Sequence, residues 1–228
     1  MKRLIILELC FIFLATSFPG NAPPPGWFPQ VRPVDKVIRD IFFIDSVNGW
    51  SVTDGAANPN DTGYIFNTTN AGTNWTIQYK DRISFSSIQF LDKNLGYAIG
   101  GSPPNGVMLK TLNGGLNWFT VALINPDNVD DIFFINKDTG WYCSGFLFDG
   151  GIYRTINGGV NWQLQRGGLT GTCQLFFLNN DTGWATYGSS SSGSLYRTTN
   201  SGMNWNLQYS FPSGLGDVYF FNADNGVV

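Results

Sequence analysis

An eight-residue motif that occurs four times at a nearly constant interval constrains this chain more than any other feature. The first copy runs from Thr68 to Trp75, and every copy carries a Thr, an Asn, a Gly and a Trp at the same places. The motif tryptophans are Trp75, Trp118, Trp162 and Trp205, which are separated by 43, 44 and 43 residues. A unit of this length buries its apolar face by stacking against copies of itself.

A second motif alternates with the first and consists of an apolar run, a polar turn and then a Gly followed by an aromatic residue. The apolar runs lie at 41–45, 88–92, 132–136, 175–179 and 218–222. The pairs that follow them are Gly49-Trp50, Gly96-Tyr97, Gly140-Trp141, Gly183-Trp184 and, without an aromatic residue, Gly226-Val227.

Together the two motifs predict four short strands in each period, which is typical of a propeller blade. Strand A is the apolar run, strand B begins at the Gly-aromatic pair, strand C precedes the Thr and strand D begins at the motif Trp. We therefore predict an all-β propeller of four-stranded antiparallel blades, about seven in the full protein. Residues 39–228 would supply blades 1 to 4 and the start of blade 5, so the sequence has the form of a fragment.

The first motif predicts a tight hairpin turn between strands C and D. The Asn carbonyl can accept backbone N–H groups, the Gly can adopt a positive φ, and the Trp can pack between blades. We assign it a structural role, since it presents no free reactive group. The residues of this turn are Thr68, Asn70, Gly72, Trp75, Thr111, Asn113, Gly115, Trp118, Thr155, Asn157, Gly159, Trp162, Thr198, Asn200, Gly202 and Trp205.

The N-terminus predicts export. A basic start and an apolar run, interrupted by Glu8, precede small residues, which indicates a signal peptide over 1–17 with cleavage as late as 22. An uncleaved leader stays an alternative. Residues 18–38 would form an N-terminal segment in which Trp27, placed 22 residues before Gly49, supplies the outermost strand that closes the ring. The expected location is secreted or extracytoplasmic: periplasm, cell surface or thylakoid lumen.

Two cysteines, Cys143 and Cys173, remain after the leader. An exported chain permits a disulfide between them. The repeat map assigns them to different blades, however, which favours two unpaired cysteines.

Composition excludes several functions. The chain has no His, its only Glu is Glu8, and its net charge is −3. Ser-His-Asp catalysis and His metal ligands are therefore impossible, and we expect no cofactor and no metal. A negative chain with 13 basic residues also lacks the electrostatic footprint of a nucleic-acid binder.

The turn motif is an Asp-box with Asn in the Asp place, and with the Gly-Trp strand starts and the leader it resembles the photosystem II assembly/stability factor family. That resemblance implies a seven-bladed, non-catalytic propeller with an arginine-rich surface for a membrane-protein partner. Similar repeats occur in sialidases, sortilin and xyloglucan-specific cellobiohydrolases. The residues that precede the turn-motif Thr in blades 2 to 4 are the candidates for such a surface: Lys110, Arg154 and Arg197.

Other chemistry could lie on the opposite face, where loops usually carry function. Asp40, Asp131 and Asp217 stand just before strand A and could line the channel mouth, either to attract a cation or to cap strand ends. Residues 125–131 are rich in oxygen ligands but lack a Ca²⁺ loop pattern. Phe146, Phe148 and Phe211 could stack a sugar.

The leading hypothesis is a non-enzymatic exported propeller that binds another protein or scaffolds an assembly. The alternatives are a carbohydrate-active propeller and a structural repeat domain of a larger cell-surface protein. We expect an unidentified protein partner, no nucleic acid, and membrane contact only through a partner or an uncleaved leader.

Overall fold

The computed structural model describes residues 30–55, 61–102, 105–124, 129–145 and 150–228. Blade 1 consists of β1 (Ile38–Phe43), β2 (Gly49–Thr53), β3 (Gly63–Thr68) and β4 (Thr76–Asp81). Blade 2 consists of β5 (Phe85–Phe90), β6 (Gly96–Ser102), β7 (Asn105–Thr111) and β8 (Phe119–Ile124). Blade 3 consists of β9 (Val129–Phe134), β10 (Gly140–Ser144), β11 (Gly150–Thr155) and β12 (Gln163–Leu169). Blade 4 consists of β13 (Thr172–Phe177), β14 (Gly183–Ser189), β15 (Ser192–Thr198) and β16 (Asn206–Phe211), and β17 (Tyr219–Phe220) with β18 (Gly226–Val227) begins a fifth.

Each of the four complete sheets is an antiparallel meander in chain order, which confirms the predicted all-β propeller. Within the ranges given above, no helix has the length and apolarity needed to cross a membrane. The predicted leader and the predicted strand near Trp27 lie outside the described residues.

The strand boundaries differ slightly from the expected ones. Strand B begins at the predicted Gly in all four blades, whereas strand D begins one residue after the motif Trp. Strand A extends further toward its N-terminus, so Asp40 lies inside β1 and Asp131 inside β9. Both residues pair across the ladder with strand B, Asp40 with Val52 and Asp131 with Cys143, and this pairing is what carries strand A past the apolar run.

Aromatic stacking joins each blade to the next. The strand B aromatic of one blade lies flat against the Phe that ends strand A of the following blade. The ring centroids are 3.5 Å apart for Trp50 and Phe90, 3.9 Å for Tyr97 and Phe134, 3.7 Å for Trp141 and Phe177, and 3.7 Å for Trp184 and Phe220. The motif Trp of that following blade then packs edge-on against the same Phe, as Trp118 does against Phe90 at 5.9 Å. Each of the three joints between blades 1 and 4 thus contains three aromatic rings from two blades.

The Gly of the Gly-aromatic pair leaves the space that the ring of that Phe occupies. The two residues face each other across the A–B ladder, for example Phe90 and Gly96. A Cβ on Gly96 would lie 2.5 Å from the Phe90 ring, and one on Gly183 would lie 2.4 Å from the Phe177 ring. Because the ring is held between two other aromatics, it has no space into which it could retreat.

The four C–D turns use one set of hydrogen bonds. In blade 1, Thr68 Oγ1 accepts from Gly72 N at 2.9 Å and donates to Asn70 Oδ1 at 3.0 Å, and Asn70 Oδ1 accepts from Asn74 N at 2.9 Å. The same three bonds recur in blades 2, 3 and 4. The Thr hydroxyl and the Asn carbonyl oxygen of the motif are therefore both engaged within the turn.

The two central residues of each turn have positive φ, as in a type I′ turn. Blades 2 and 3 place Gly at both positions, whereas blade 1 places Ala71 at the first with φ 58° and blade 4 places Ser201 there with φ 59°. A non-glycine residue in this left-handed region is strained. Ser201 gains a hydrogen bond in return, since its Oγ donates to Asp181 Oδ1 at 2.9 Å.

Cys143 and Cys173 form a disulfide that links blade 3 to blade 4. The expectation that the repeat map keeps them apart was wrong. Strand B of one blade faces strand A of the next, so β10 and β13 are neighbours although the cysteines are 30 residues apart in sequence.

The N-terminal side of blade 1 is less covered than the other strand A faces. β1 is largely half-buried, whereas β5, β9 and β13 are mostly buried. Gln30 lies against the turn of blade 1, with its Oε1 3.5 Å from the place of a Cβ on Gly72. Gln78, three residues after Trp75, meets Gly115 of blade 2 in the same way. Gln30 is three residues after Trp27 in the sequence. The ring-closing strand stays a prediction.

Replacing Ala71 by Gly is expected to stabilise the protein by about 0.5–1 kcal/mol. The change removes the conformational strain of an Ala in the left-handed region, which costs ~1–2 kcal/mol. Part of this gain is offset because Gly has more conformational freedom in the unfolded chain. Urea denaturation of the wild type and the variant measures the difference.

Ser201→Gly is the matched comparison, because it relieves the same strain but loses the hydrogen bond to Asp181. We expect no gain from it. Equal stabilisation by both changes would contradict the role given to the Ser201 hydroxyl, and no gain from Ala71→Gly would contradict the strain.

Candidate functional site

Three cations lie beside the aromatic stacks at the edge where the C–D turns emerge. Lys110, Arg154 and Arg197 are the cross-strand partners of Tyr97, Trp141 and Trp184. Each charge lies over its partner's ring, with the cation 5.0, 5.7 and 5.2 Å from the respective centroid. In blade 1 the equivalent place belongs to Asn67, whose Nδ2 donates to Gly49 O. The structure thus brings the three predicted cations to equivalent places in consecutive blades.

These cations are held by packing rather than by ion pairs. Among the described residues, salt bridges engage Arg32, Lys36, Arg39, Lys93 and Lys137, but none of the three stacked cations. The Nε atoms of Arg154 and Arg197 are buried and have no hydrogen-bond partner in that part of the chain. Burial lowers the pKa of Lys110, and the Asp138 carboxylate acts in the opposite direction. The side chains of all three residues are half-buried, so each stays partly exposed to solvent.

The sequence interpretation missed a set of exposed aliphatic side chains on the same turns. They occupy the second and sixth places of the motif, where blade 1 carries Thr69 and Thr73. Their side chains are between 59% and 77% exposed: Leu112, Leu116, Ile156, Val160 and Met203. Turn tips are usually polar, so apolar residues at these places are the signal that could have identified the surface. We call these five residues with Lys110, Arg154 and Arg197 the turn-face patch.

The predicted channel-mouth acids come together in one cavity of about 270 Å³. Its lining includes Asp40, Asp131 and Asp217 with Arg39, Ser87 and Gln174, which represent all five blades. Each blade contributes residues from the start of its strand A or from just before it.

Two of these acids connect blades through backbone amides. Asp40 Oδ2 accepts from Ile88 N of blade 2 at 2.8 Å. Asp131 Oδ2 accepts from Leu175 N of blade 4 at 2.8 Å, and its Oδ1 accepts from Ile132 N at 2.8 Å. Between them, the Ser87 hydroxyl donates to Asp131 Oδ1 at 2.7 Å. Carboxylates that accept several N–H and O–H groups are held as anions, a geometry that serves the blade joints.

The joint between blades 2 and 3 uses an amide side chain in addition. Gln89 Nε2 donates to Phe134 O at 3.1 Å, and Phe134 N donates to Gln89 Oε1 at 2.5 Å. Sequence reasoning did not single out Gln89, since a lone Gln in an apolar run has no signature.

The oxygen-rich run at 125–131 and the candidate sugar platforms are only partly described. Residues 125–128, Phe146 and Phe148 lie outside the described residues. Phe211 ends β16 and packs against Tyr209 with ring centroids 4.7 Å apart. Across the ranges that the structure covers, no group of three His, Cys, Asp or Glu side chains is arranged to hold a metal ion.

Asp130 is a half-buried carboxylate that precedes the cavity-lining Asp131 in the sequence. Burial raises its pKa to about 7, the Asp131 charge adds to the rise, and the backbone amides of Gly145 and Cys173 oppose it. An acid with a raised pKa favours its protonated form in the folded state.

Comparison with known proteins gave the following matches. Residues 24–189 match the family model described as photosynthesis system II assembly factor YCF48. A solved structure of YCF48 bound to D1 peptide is 25% identical, with a TM-score of 0.57, and the match covers 73% of this chain and 51% of that one. YCF48 from Cyanidioschyzon merolae is 20% identical, with a TM-score of 0.62 and coverage of 86% and 63%.

The Niastella koreensis GH74 enzyme is 15% identical with a TM-score of 0.52, covering 70% of this chain and 28% of that chain, which shows a shared fold. A search of curated proteins found no match. The chain spans about half to two thirds of the length of the two YCF48 structures.

Asp131→Asn is expected to destabilise the protein by about 2 kcal/mol, because an amide offers one acceptor oxygen where three N–H and O–H donors now converge. Asp217→Asn is the control. Asp217 lies in the same cavity, but its carboxylate accepts from Val218 N alone among the hydrogen bonds described, so a change under about 0.5 kcal/mol is expected. Chemical denaturation of both variants measures the contrast, and equal losses would contradict it.

Asp130→Asn is expected to flatten the fall of stability with rising pH. The folded pKa of Asp130, about 7, exceeds the value of about 4 for an unfolded Asp, so its stabilising contribution is complete below about pH 4. That contribution is lost as pH rises toward 7. Unfolding free energies across this range should therefore shift in favour of the variant as pH increases, and parallel curves would contradict the assignment.

Proposed function

The chain belongs to the photosynthesis system II assembly factor YCF48 family, and on that premise we propose that it is a non-catalytic, exported propeller that binds another protein and holds it during assembly. The turn-face patch is the surface proposed to do so. Export rests on the predicted leader at 1–17.

The observation that carries the proposal is the row of stacked cations. Arg154 and Arg197 are half-buried, lie over tryptophan rings and make no ion pair in the described part of the chain. Guanidinium groups that are already positioned lose little freedom when they bind a carboxylate. A peptide segment with acidic side chains fits this row.

The aliphatic turn residues define the rest of the partner. Leu112 and Leu116 in blade 2 lie on the turn that follows Lys110, and Ile156 and Val160 in blade 3 follow Arg154. Exposed apolar side chains that flank cations are typical of protein interfaces, in which an apolar centre is ringed by polar contacts. We propose a partner segment that alternates apolar and acidic residues.

One solved relative, 25% identical, is described as bound to D1 peptide, which supports peptide binding as the function of this chain as well.

The enzyme alternative finds less support. Glycosidases use two carboxyl groups, one of which must carry a proton. Asp40 and Asp131 in the cavity instead accept backbone amides of neighbouring blades, which favours their charged forms. Assay of xyloglucan and sialoside hydrolysis tests this part of the proposal, and turnover abolished by a single Asp substitution would overturn it. The other alternative is a structural repeat domain of a larger cell-surface protein, and the sequence of the full-length gene tests it.

The variant Arg154→Gln/Arg197→Gln is expected to weaken partner binding about 10- to 100-fold, because each lost charge-assisted hydrogen bond contributes ~1.5–3 kcal/mol before compensation. Gln retains much of the stem that packs on the tryptophan. Pull-down from an extracytoplasmic extract, followed by titration with the recovered partner, measures the loss.

Lys80→Gln/Arg82→Gln provides the matched control. It removes the same charge from two exposed residues at and just beyond the far end of β4, away from the C–D turns. Unchanged recovery with the first pair, or equal loss with both pairs, would overturn the assignment of the surface.

A further inference from the structure

At the joint between blades 3 and 4, a carboxylate oxygen lies against a disulfide sulphur. Asp130 Oδ2 is 3.3 Å from Cys173 Sγ, and Cys173 is bonded to Cys143 on β10. We propose that the Cys143–Cys173 link is a thiol-exchange site that responds to a dithiol, and that Asp130 stabilises its reduced form.

The contact has a use only when the link is reduced. A disulfide sulphur carries no hydrogen and cannot donate to Asp130, so the carboxylate gains nothing from Cys173 Sγ in the oxidised state. A Cys173 thiol at the same place would donate its S–H to an acceptor that is already positioned. The backbone amides of Gly145 and Cys173 hold that acceptor in place.

The groups around the Cys143–Cys173 link also favour a hydrogen bond from a Cys173 thiol to Asp130. Both cysteines are buried, at 0% and 1% exposure, in a cluster of apolar side chains. The charged group beside Asp130 is Asp131, and Tyr187 faces it as a neutral phenol whose pKa is raised, with Arg166 beyond. The pKa of Asp130 is raised to about 7, so near neutral pH the group carries a proton part of the time. A thiol hydrogen bond would offset part of the cost of the buried charge.

The exchange proceeds in two balanced steps once the joint opens locally. A thiolate of the dithiol bonds to Cys143 Sγ, the Cys143–Cys173 bond breaks, and its electron pair leaves on Cys173 Sγ, which takes a proton from Asp130. The second thiolate of the reagent then bonds to the first reagent sulphur and releases Cys143, which is protonated by solvent. The reagent is oxidised to a disulfide by two electrons, and the protein link is reduced by two.

In the described ranges, the other joints have hydrogen bonds where this joint has a disulfide. At the corresponding strand A position of blade 2, Ser86 Oγ donates to Val129 O of blade 3. Between blades 4 and 5, Thr186 Oγ1 donates to Gly216 O at 3.3 Å. The joint between blades 3 and 4 is the one with a covalent link among the described residues, so exchange there changes how firmly that joint holds.

The experiment equilibrates the folded chain with graded ratios of reduced and oxidised dithiothreitol, traps thiols by alkylation and maps Cys143 and Cys173 by mass spectrometry. Asp130→Asn keeps the shape of the side chain, and Asp130→Ser introduces the residue that blade 2 carries at this place. We expect the wild-type link to be reduced while circular dichroism still reports folded protein. Both variants should need a reduced-to-oxidised ratio about tenfold higher.

Asp217→Asn removes a cavity carboxylate that has no contact with the link, and it should leave the ratio unchanged. The pH dependence of the midpoint around neutral pH should flatten in Asp130→Asn, which a merely structural role would not produce. Wild-type cysteines that resist reduction until the protein unfolds would overturn the proposal, as would midpoints shared by wild type and both Asp130 variants. Failure of partner binding would not affect this result, since it is measured without a partner.

Discussion

The stack of an aromatic ring in strand B on the Phe of the next blade is the interaction on which the rest of the molecule depends. The ring centroids lie 3.5 to 3.9 Å apart, so neighbouring blades are in direct contact at the same place in each joint. The stack requires a residue without Cβ opposite each Phe, and it gives the motif Trp an edge to pack against. The aromatic residues, which make up 16% of the chain, therefore serve mainly to build the fold.

The packing of the blades also determines where the charged side chains lie. The same rings that join blades also contact Lys110, Arg154 and Arg197. On the channel side, Asp40 and Asp131 connect strand A of one blade to the amides of another. The carboxylates of Asp40 and Asp131 are thus bound within the fold, whereas the three cations near the C–D turns make no ion pair among the described residues.

Much of the architecture could be read from the sequence because each blade repeats the same local signals. The motif around Thr155 and Trp162 predicted a turn, and the pair Gly140-Trp141 predicted the start of strand B. The Cys143–Cys173 link could not be obtained in this way, since position within a repeat says nothing about which faces meet. The exposure of Leu112 and Ile156 was not predicted for a related reason, because the exposed fraction of a turn residue depends on which other parts of the fold pack against it.

The sequence by itself determined the period, the number of strands in a blade, the turn chemistry and the absence of histidine chemistry, because these depend on neighbours along the chain. Only the tertiary structure decided that Asp40 and Asp131 connect blades, that the cations rest on aromatic rings and that Asp130 lies against Cys173. Each of these contacts joins residues from different blades or strands, and their distances are fixed by how blades pack, which no local pattern specifies.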